Sequence, residues 1–268
     1  MKIGYCSDLH IDISDMKFLD QFVQEINDQK ISHLIIAGDL IECRSMINRS
    51  KDTQSHRNFI SFFESLSKIE IEIYWIFGNH EFYGCEITSA VGDMKSILIE
   101  HGFNNVTILD NSVVDLGDHQ LVASTLWTDF KHGDPVVMSD CGAMMNDYNF
   151  ITENHYQLGP NYIYDLHSKN KDFIRSALEN KKNTTVVTHH LPHYPLEFNG
   201  TLDYAYGSDL SDLFLDNSHL KFWVCGHSHQ QVELDLFDGM GKILSNARGY
   251  EMYEPKLNST FRLKTIEL

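Results

Sequence analysis

Apolar positions along the chain repeat with two periods, and the alternation between them is regular through the first hundred residues. Lys2–Ser7 reads as a strand, and Asp15–Gln29 follows with Met16, Leu19, Phe22, Val23 and Ile26 at helical spacing. His33–Ala37 predicts a second strand, Asp52–Leu66 a second helix, and Ile71–Phe77 a third strand rich in β-branched and aromatic residues. This βαβαβ order implies a largely parallel sheet with helices outside it. Ile87–His101 predicts another helix, and Val106–Leu109 and Leu121–Leu126 further strands.

Residues 127–165 break the rhythm. They hold Gly133, Pro135, Gly142, Gly159 and Pro160 among aromatic and polar residues, with a short helix expected near Asp140–Phe150. Regularity returns with helix Ile163–Asn180 and strands Thr184–Thr188 and Phe222–Cys225. A hairpin is expected from Val232–Phe237, turn Asp238-Gly239-Met240-Gly241 and Lys242–Leu244, and Phe261–Ile266 alternates as an edge strand would. Without a repeat or a linker-like stretch, residues 1–268 read as one domain, with 127–165 as a candidate substrate lid.

The polar residues that end the strands carry the chemistry. The first strand runs into Ser7-Asp8-Leu9-His10, the second into Gly38-Asp39 and the third into Gly78-Asn79-His80-Glu81. Thr184–Thr188 runs into His189-His190, and Phe222–Cys225 into Gly226-His227-Ser228-His229. The carboxyl ends of parallel strands share one edge, where ligands bind. Asp8/His10 and His227/His229 are spaced i, i+2, which points both side chains the same way if the chain stays extended. Gly38, Gly78 and Gly226 leave room for close backbone approach. Carboxylates, an amide and imidazoles together suit divalent ions such as Mn, Fe, Zn or Ni. Asp8, His10, Asp39, Asn79, His189, His227 and His229 are more donors than one ion needs, and suit two ions that share a carboxylate, an arrangement used in phosphoester hydrolysis.

Composition narrows the field. A formal charge of −17 opposes binding of long nucleic acid through its phosphates. The 5 cysteines form no CxxC pair, which argues against a disulfide framework and a thiolate zinc site. The chain enters a strand at once, with no apolar leader, and no stretch reaches the roughly 20 apolar residues of a membrane span. A reducing cytoplasm is the expected location.

The ordered set Asp8-Leu9-His10, Gly38-Asp39, Gly78-Asn79-His80-Glu81, His189 and Gly226-His227-Ser228-His229 resembles the pattern DxH, GD, GNH[E/D], H, GHxH of the calcineurin-like metallophosphoesterase superfamily. The likeness spans nearly the whole chain. It implies a four-layer α/β/β/α sandwich of two facing mixed sheets flanked by helices, with two divalent ions at one rim. One ion would be held by Asp8, His10, Asp39 and His229, the other by Asp39, Asn79, His189 and His227, with Asp39 bridging. A hydroxide between the ions would attack phosphorus, and His80 would face the substrate as a proton donor or charge stabiliser. Glu81 would orient His80 or lie at the surface, and His190 reads as a supporting or structural histidine.

Departures point to a branch. Protein Ser/Thr phosphatases of the superfamily carry GDxxDRG, whereas this chain has Gly38-Asp39-Leu40-Ile41-Glu42-Cys43-Arg44. Gly78–Tyr83, Ser124-Thr125-Leu126-Trp127 and Asn246–Tyr250 resemble the small bacterial and phage-type phosphohydrolases. The expected substrate is then a small phosphate ester, a phosphodiester or a nucleotide. Alternatives are a monoesterase of small metabolites and a non-catalytic scaffold, against which all ligand positions and His80 are filled. Asn146 and Tyr148 are candidate substrate contacts, and the aromatics of 127–165 would either stack on a base or fill core. Arg248 would contact phosphate or form an ordinary ion pair.

Overall fold

A computed structural model describes residues 1–50, 53–195, 200–236, 239 and 241–268. Two sheets face each other. In the first, strands β1 (Lys2–Cys6), β2 (His33–Ala37), β3 (Glu72–Ile76) and β4 (Val106–Leu109) run parallel, with β13 (Lys264–Glu267) antiparallel beside β1. The second has β6 (His119–Ser124), β9 (Asn183–Thr188), β10 (Leu220–Cys225) and β12 (Gly241–Asn246) parallel, edged by antiparallel β5 (Ser112–Asp115) and β11 (Gln231–Leu236). A small hairpin joins β7 (Thr152–Glu153) to β8 (Tyr156–Gln157).

The layers follow from side-chain alternation. In β1, β2 and β3, Ile3, Tyr5, Ile35, Ala37, Tyr74 and Ile76 point inward and meet Leu121, Ala123, Val187, Val224 and Leu244 of the other sheet. The opposite face, Leu34, Ile36, Ile73 and Trp75, packs on helices Leu19–Gln29 and Gln54–Leu66. Thr53 starts the second of these by accepting the His56 N–H at 3.1 Å, and Phe59, Phe62, Phe63 and Leu66 form its buried stripe. The second sheet's outer face carries Val122, Val186 and Trp223, covered by Ile174 and Leu178 of helix Pro160–Leu178 and by Phe214 of helix Ser211–Asp216. This is the expected helix–sheet–sheet–helix sandwich.

Some expectations shift. The Asp15–Gln29 helix begins at Leu19, because Met16 has φ +63° and sits in the preceding turn. Leu126 and Trp127 leave the Leu121–Leu126 strand with φ of +71° and +55°. Residues 127–165 are more regular than their glycines and prolines suggest. Asp134 caps helix Pro135–Met144 by accepting the Val136 N–H at 2.9 Å, and a short helix spans Asp147–Phe150. Strand β5 was not foreseen, since its alternation is half-exposed and short. In the expected β11–β12 turn, Asp238 and Met240 lie outside the described residues, as do Asp52 and Phe237. No described helix is long and apolar enough to cross a membrane.

Candidate metal centre

The carboxyl ends of β1, β2, β3, β9 and β10 meet at one rim of the sandwich, and backbone hydrogen bonds stitch the loops that leave them. The Asp8 N–H donates to the Gly38 carbonyl at 3.0 Å, His10 N–H to the Asp39 carbonyl at 3.1 Å, and Gly226 N–H to the His189 carbonyl at 2.9 Å. Space there is tight. A Cβ on Gly38 would lie 2.3 Å from the His189 ring, and one on Gly78 would lie 2.3 Å from Asp39 Oδ1.

All seven predicted donors converge, although not by the expected route. Asp8, His10, His227 and His229 do not lie in extended chain. Their φ values are +53°, +43°, +67° and +48°, and Asp39 adds +53°. The left-handed region is sparsely used by residues with a Cβ, so five such conformations at one rim mark local strain held by the surrounding fold. Asp8, His10 and His229 bring donor atoms within 4.8 Å of one another, and so do Asp39, His189 and His227. His10 Nε2 lies 3.2 Å from His229 Nε2, and His189 Nε2 lies 3.3 Å from Asp39 Oδ1 and 3.1 Å from Asn79 Oδ1.

Three of the donors are aimed by partners behind them. His189 Nδ1 donates to the Ala37 carbonyl at 2.9 Å and His229 Nδ1 to Glu254 Oε2 at 2.6 Å, which leaves both Nε2 atoms facing inward. Asn79 donates its amide N–H bonds to Asp147 Oδ1 at 2.8 Å and to the Tyr83 hydroxyl at 3.2 Å, so its Oδ1 points toward His189. Tyr83 in turn donates to Asp147 at 2.7 Å.

Glu81 does neither of the things expected of it. Its carboxylate is fully buried and accepts five hydrogen bonds: from the N–H groups of Gly78 at 2.6 Å, Asp39 at 3.0 Å, Leu40 at 2.6 Å and Ile41 at 3.4 Å, and from Trp75 Nε1 at 3.2 Å. It therefore clamps the loop after β2 to the turn after β3. Burial pushes its carboxyl up to about 8, with Asp39 adding to the effect, while these donors pull the other way.

The electrostatics call for cations. Asp8 and Asp39 are buried near each other, and burial raises the Asp8 carboxyl. Burial opposes charge on Asp39 too, yet His189 and His80 hold it well below the usual range. Burial likewise disfavours charge on His189, but Asp39 beside it prevails and pushes the ring up to about 10. A proton on His189 thus balances Asp39, and a divalent ion would serve in its place. His227 is held neutral by burial, and its Nε2 has no hydrogen-bond partner among the described residues. An aimed, unpartnered imidazole nitrogen beside two carboxylates fits a metal ligand.

His80 sits at the edge of this cluster. Its backbone N–H donates to Asp39 Oδ1 at 2.9 Å, its ring stacks on Tyr83 at 4.3 Å, and its Nε2 lies 3.0 Å from the Tyr250 hydroxyl. The Tyr250 ring stacks on His10 at 4.3 Å. His10, Asp39 and His80 form a third such donor group, and His190, buried between Trp127 and His227, belongs to none of the three.

The candidate substrate residues divide. Asn146 lines the cavity above the cluster. Tyr148 does not: it is buried in the helix-side core with Trp127 and Phe130. Of the two expectations for Arg248, the structure shows the ion pair: it pairs internally. Its guanidinium donates to the Leu9 carbonyl and to Glu251 Oε2, both at 3.2 Å, and lies over the Phe18 ring at 4.2 Å. Sequence reasoning missed Glu254 and gave Asp147 no role behind Asn79. Neither stands next to a ligand in sequence, so no local spacing could have revealed them.

The fold is a sandwich of two mixed sheets whose strand ends gather three groups of candidate metal donors, two of them sharing Asp39. The calcineurin-like phosphoesterase pattern matches residues 1–231, and the chain belongs to that family, whose members hydrolyse phosphoric esters. An uncharacterised protein of Acanthamoeba polyphaga mimivirus is 25% identical over 276 residues, covering 92% of this chain and 91% of its own. Among solved structures, a phosphopantetheinyl hydrolase from Mycobacterium tuberculosis is similar in fold, with TM-score 0.66, 15% identity and coverage of 99% of this chain and 95% of its own. A dimetal phosphatase from Danio rerio is also similar, with TM-score 0.59, 12% identity and coverage of 91% and 86%.

Proposed function

We propose that the protein hydrolyses a small phosphate ester, a phosphodiester or a nucleotide, with residues 1–268 acting as one catalytic unit. The observation that carries this is Asp39, which shares one donor group with His10 and His80 and another with His189 and His227, at the floor of an open cavity. In this reading Asp8, His10, Asp39 and His229 hold one divalent ion, and Asp39, Asn79, His189 and His227 hold the other, with Mn, Fe, Zn and Ni as the fitting metals. Two such ions activate water as a nucleophile and offset charge on the phosphoryl oxygens.

The chain's own groups do the rest. The Ala37 carbonyl and Glu254 fix the tautomers of His189 and His229, so the inward nitrogens are lone-pair donors. Asp147 and Tyr83 hold the Asn79 amide with its oxygen inward. His80, part-exposed at the cavity and 3.0 Å from the Tyr250 hydroxyl, is placed to give a proton to the departing oxygen.

Metal-stripped protein reconstituted with Mn tests this against nitrophenyl phosphate and bis-nitrophenyl phosphate. Metal-dependent turnover of the diester that collapses in His80→Ala supports the phosphodiesterase reading. Turnover of the monoester alone moves the assignment to a monoesterase, and turnover of neither, with metal bound, removes the catalytic proposal.

A further inference from the structure

We infer that the ester cleaved here bears a single phosphoryl centre, and that the group attached to it carries no second negative charge and is at least partly apolar. This rests on the phosphoesterase reading above and concerns what the same cavity accepts. The cavity over the donor cluster holds about 480 Å³, which suits a small organic ligand rather than a bare phosphate. It is lined by Met144, Met145 and Leu202 and by Tyr83, Tyr206 and Tyr250, which contact Asn79, His227 and His10 respectively. Methionine and leucine offer an adaptable apolar surface, and tyrosine rings accept apolar, aromatic or cationic groups alike.

The second observation is what the cavity lacks. No Lys or Arg lines it among the described residues, while the Glu254 carboxylate does. From His189 to Leu220 the sequence contains no Lys or Arg and five carboxylates, namely Glu197, Asp203, Asp209, Asp212 and Asp216. Of the basic groups near the walls in sequence, Arg248 is engaged with Leu9 and Glu251 and Lys131 lies over the Tyr204 ring at 5.3 Å, while Lys256, two positions from Glu254, is exposed and does not line the cavity.

A terminal phosphate, a polyphosphate or a carboxylate on the substrate would normally be met by an Arg fork or a Lys. Here the field of two bound ions would serve the phosphoryl group being cleaved, and a second anion would meet the Glu254 carboxylate with no Lys or Arg among the described lining residues to offset it. A neutral or cationic arm instead buries its carbon against Met144, Met145 and Leu202. Nucleoside di- and triphosphates are therefore poor substrates, whereas a monophosphate diester with an uncharged or ammonium-bearing arm is accepted.

The test uses Mn-loaded protein and three nitrophenyl phosphodiesters of equal length, whose second arm ends in methyl, trimethylammonium or carboxylate. If only monoesters are turned over, the same three groups are carried on the aryl leaving group. The methyl and ammonium arms are expected to exceed the carboxylate arm in kcat/KM by about ten-fold or more, the scale of one unit repulsion across about 10 Å at a partly buried site. That gap is expected to narrow in high salt, as a steric one would not. Leu202→Arg is expected to shift the carboxylate-to-methyl ratio upward by about ten-fold. Equal rates for all three arms, or a carboxylate preference, would overturn the inference while leaving the phosphoesterase reading intact. No turnover of any ester would remove that reading and this inference with it.

Discussion

The two halves of the candidate centre are built from similar donors but are supported differently. Asn79, His189 and His227 are buried, with Asn79 and His227 at the cavity wall, and the groups that hold His189 and Asn79 are buried as well: the Ala37 carbonyl and the Asp147 carboxyl. Asp8 and His10 are buried, whereas His229 lines the cavity and leans on Glu254, which lines it too and is itself part-exposed. A carboxylate behind an imidazole raises its basicity more than a carbonyl does. The support of one half is thus sealed, and that of the other is a charge that solvent and substrate can reach.

The largest effect should come from the residue both halves share. Asp39→Asn is expected to lower turnover by about a thousand-fold and to reduce bound metal per chain, measured by Mn-dependent hydrolysis and metal analysis. Full occupancy in that variant would mean that the halves are independent. Glu81→Gln comes next, because one carboxylate oxygen facing several N–H groups becomes an amide donor. Urea unfolding should register a loss of about 2–4 kcal/mol, together with weaker activity.

Asp147→Asn should weaken one ion of the pair by about 10–100-fold, since it frees the Asn79 amide to rotate. Glu254→Gln should weaken the other by about ten-fold. Sequential metal titration reads the two separately, and loss of the same ion in both variants would erase the distinction between the halves. Smallest at the site is Arg248→Ala. It should destabilise the fold by about 1–3 kcal/mol through its lost ion pair and ring contact, with KM unchanged. A large rise in KM would return Arg248 to the substrate side.

The same contrast explains what could be read from the sequence. The donors were legible because each follows a strand whose apolar run identifies it, and parallel strands must end at one edge. Their conformation was not: the i, i+2 spacing suggested extended chain, and the structure uses left-handed residues instead. Supporting groups were hidden because they are brought in by tertiary contact. Glu254 stands 25 positions from His229, and Asp147 stands 68 positions from Asn79. The aromatics of 127–165 left two readings open, stacking on a base or filling core. Trp127, Phe130 and Tyr148 fill core, while Met144 and Met145, which carry no polar signal, line the cavity.

Glu81 also bears on the order in which the molecule matures. A carboxylate buried without its five donors would be severely destabilised, so the loop after β2 and the turn after β3 must close on it in a single event. Asp39 and Asn79 are then in position before any ion arrives. Chelation should accordingly leave the circular dichroism spectrum and hydrodynamic radius of the protein nearly unchanged, and reloading should be limited by how fast ions shed water rather than by how fast the chain reorganises.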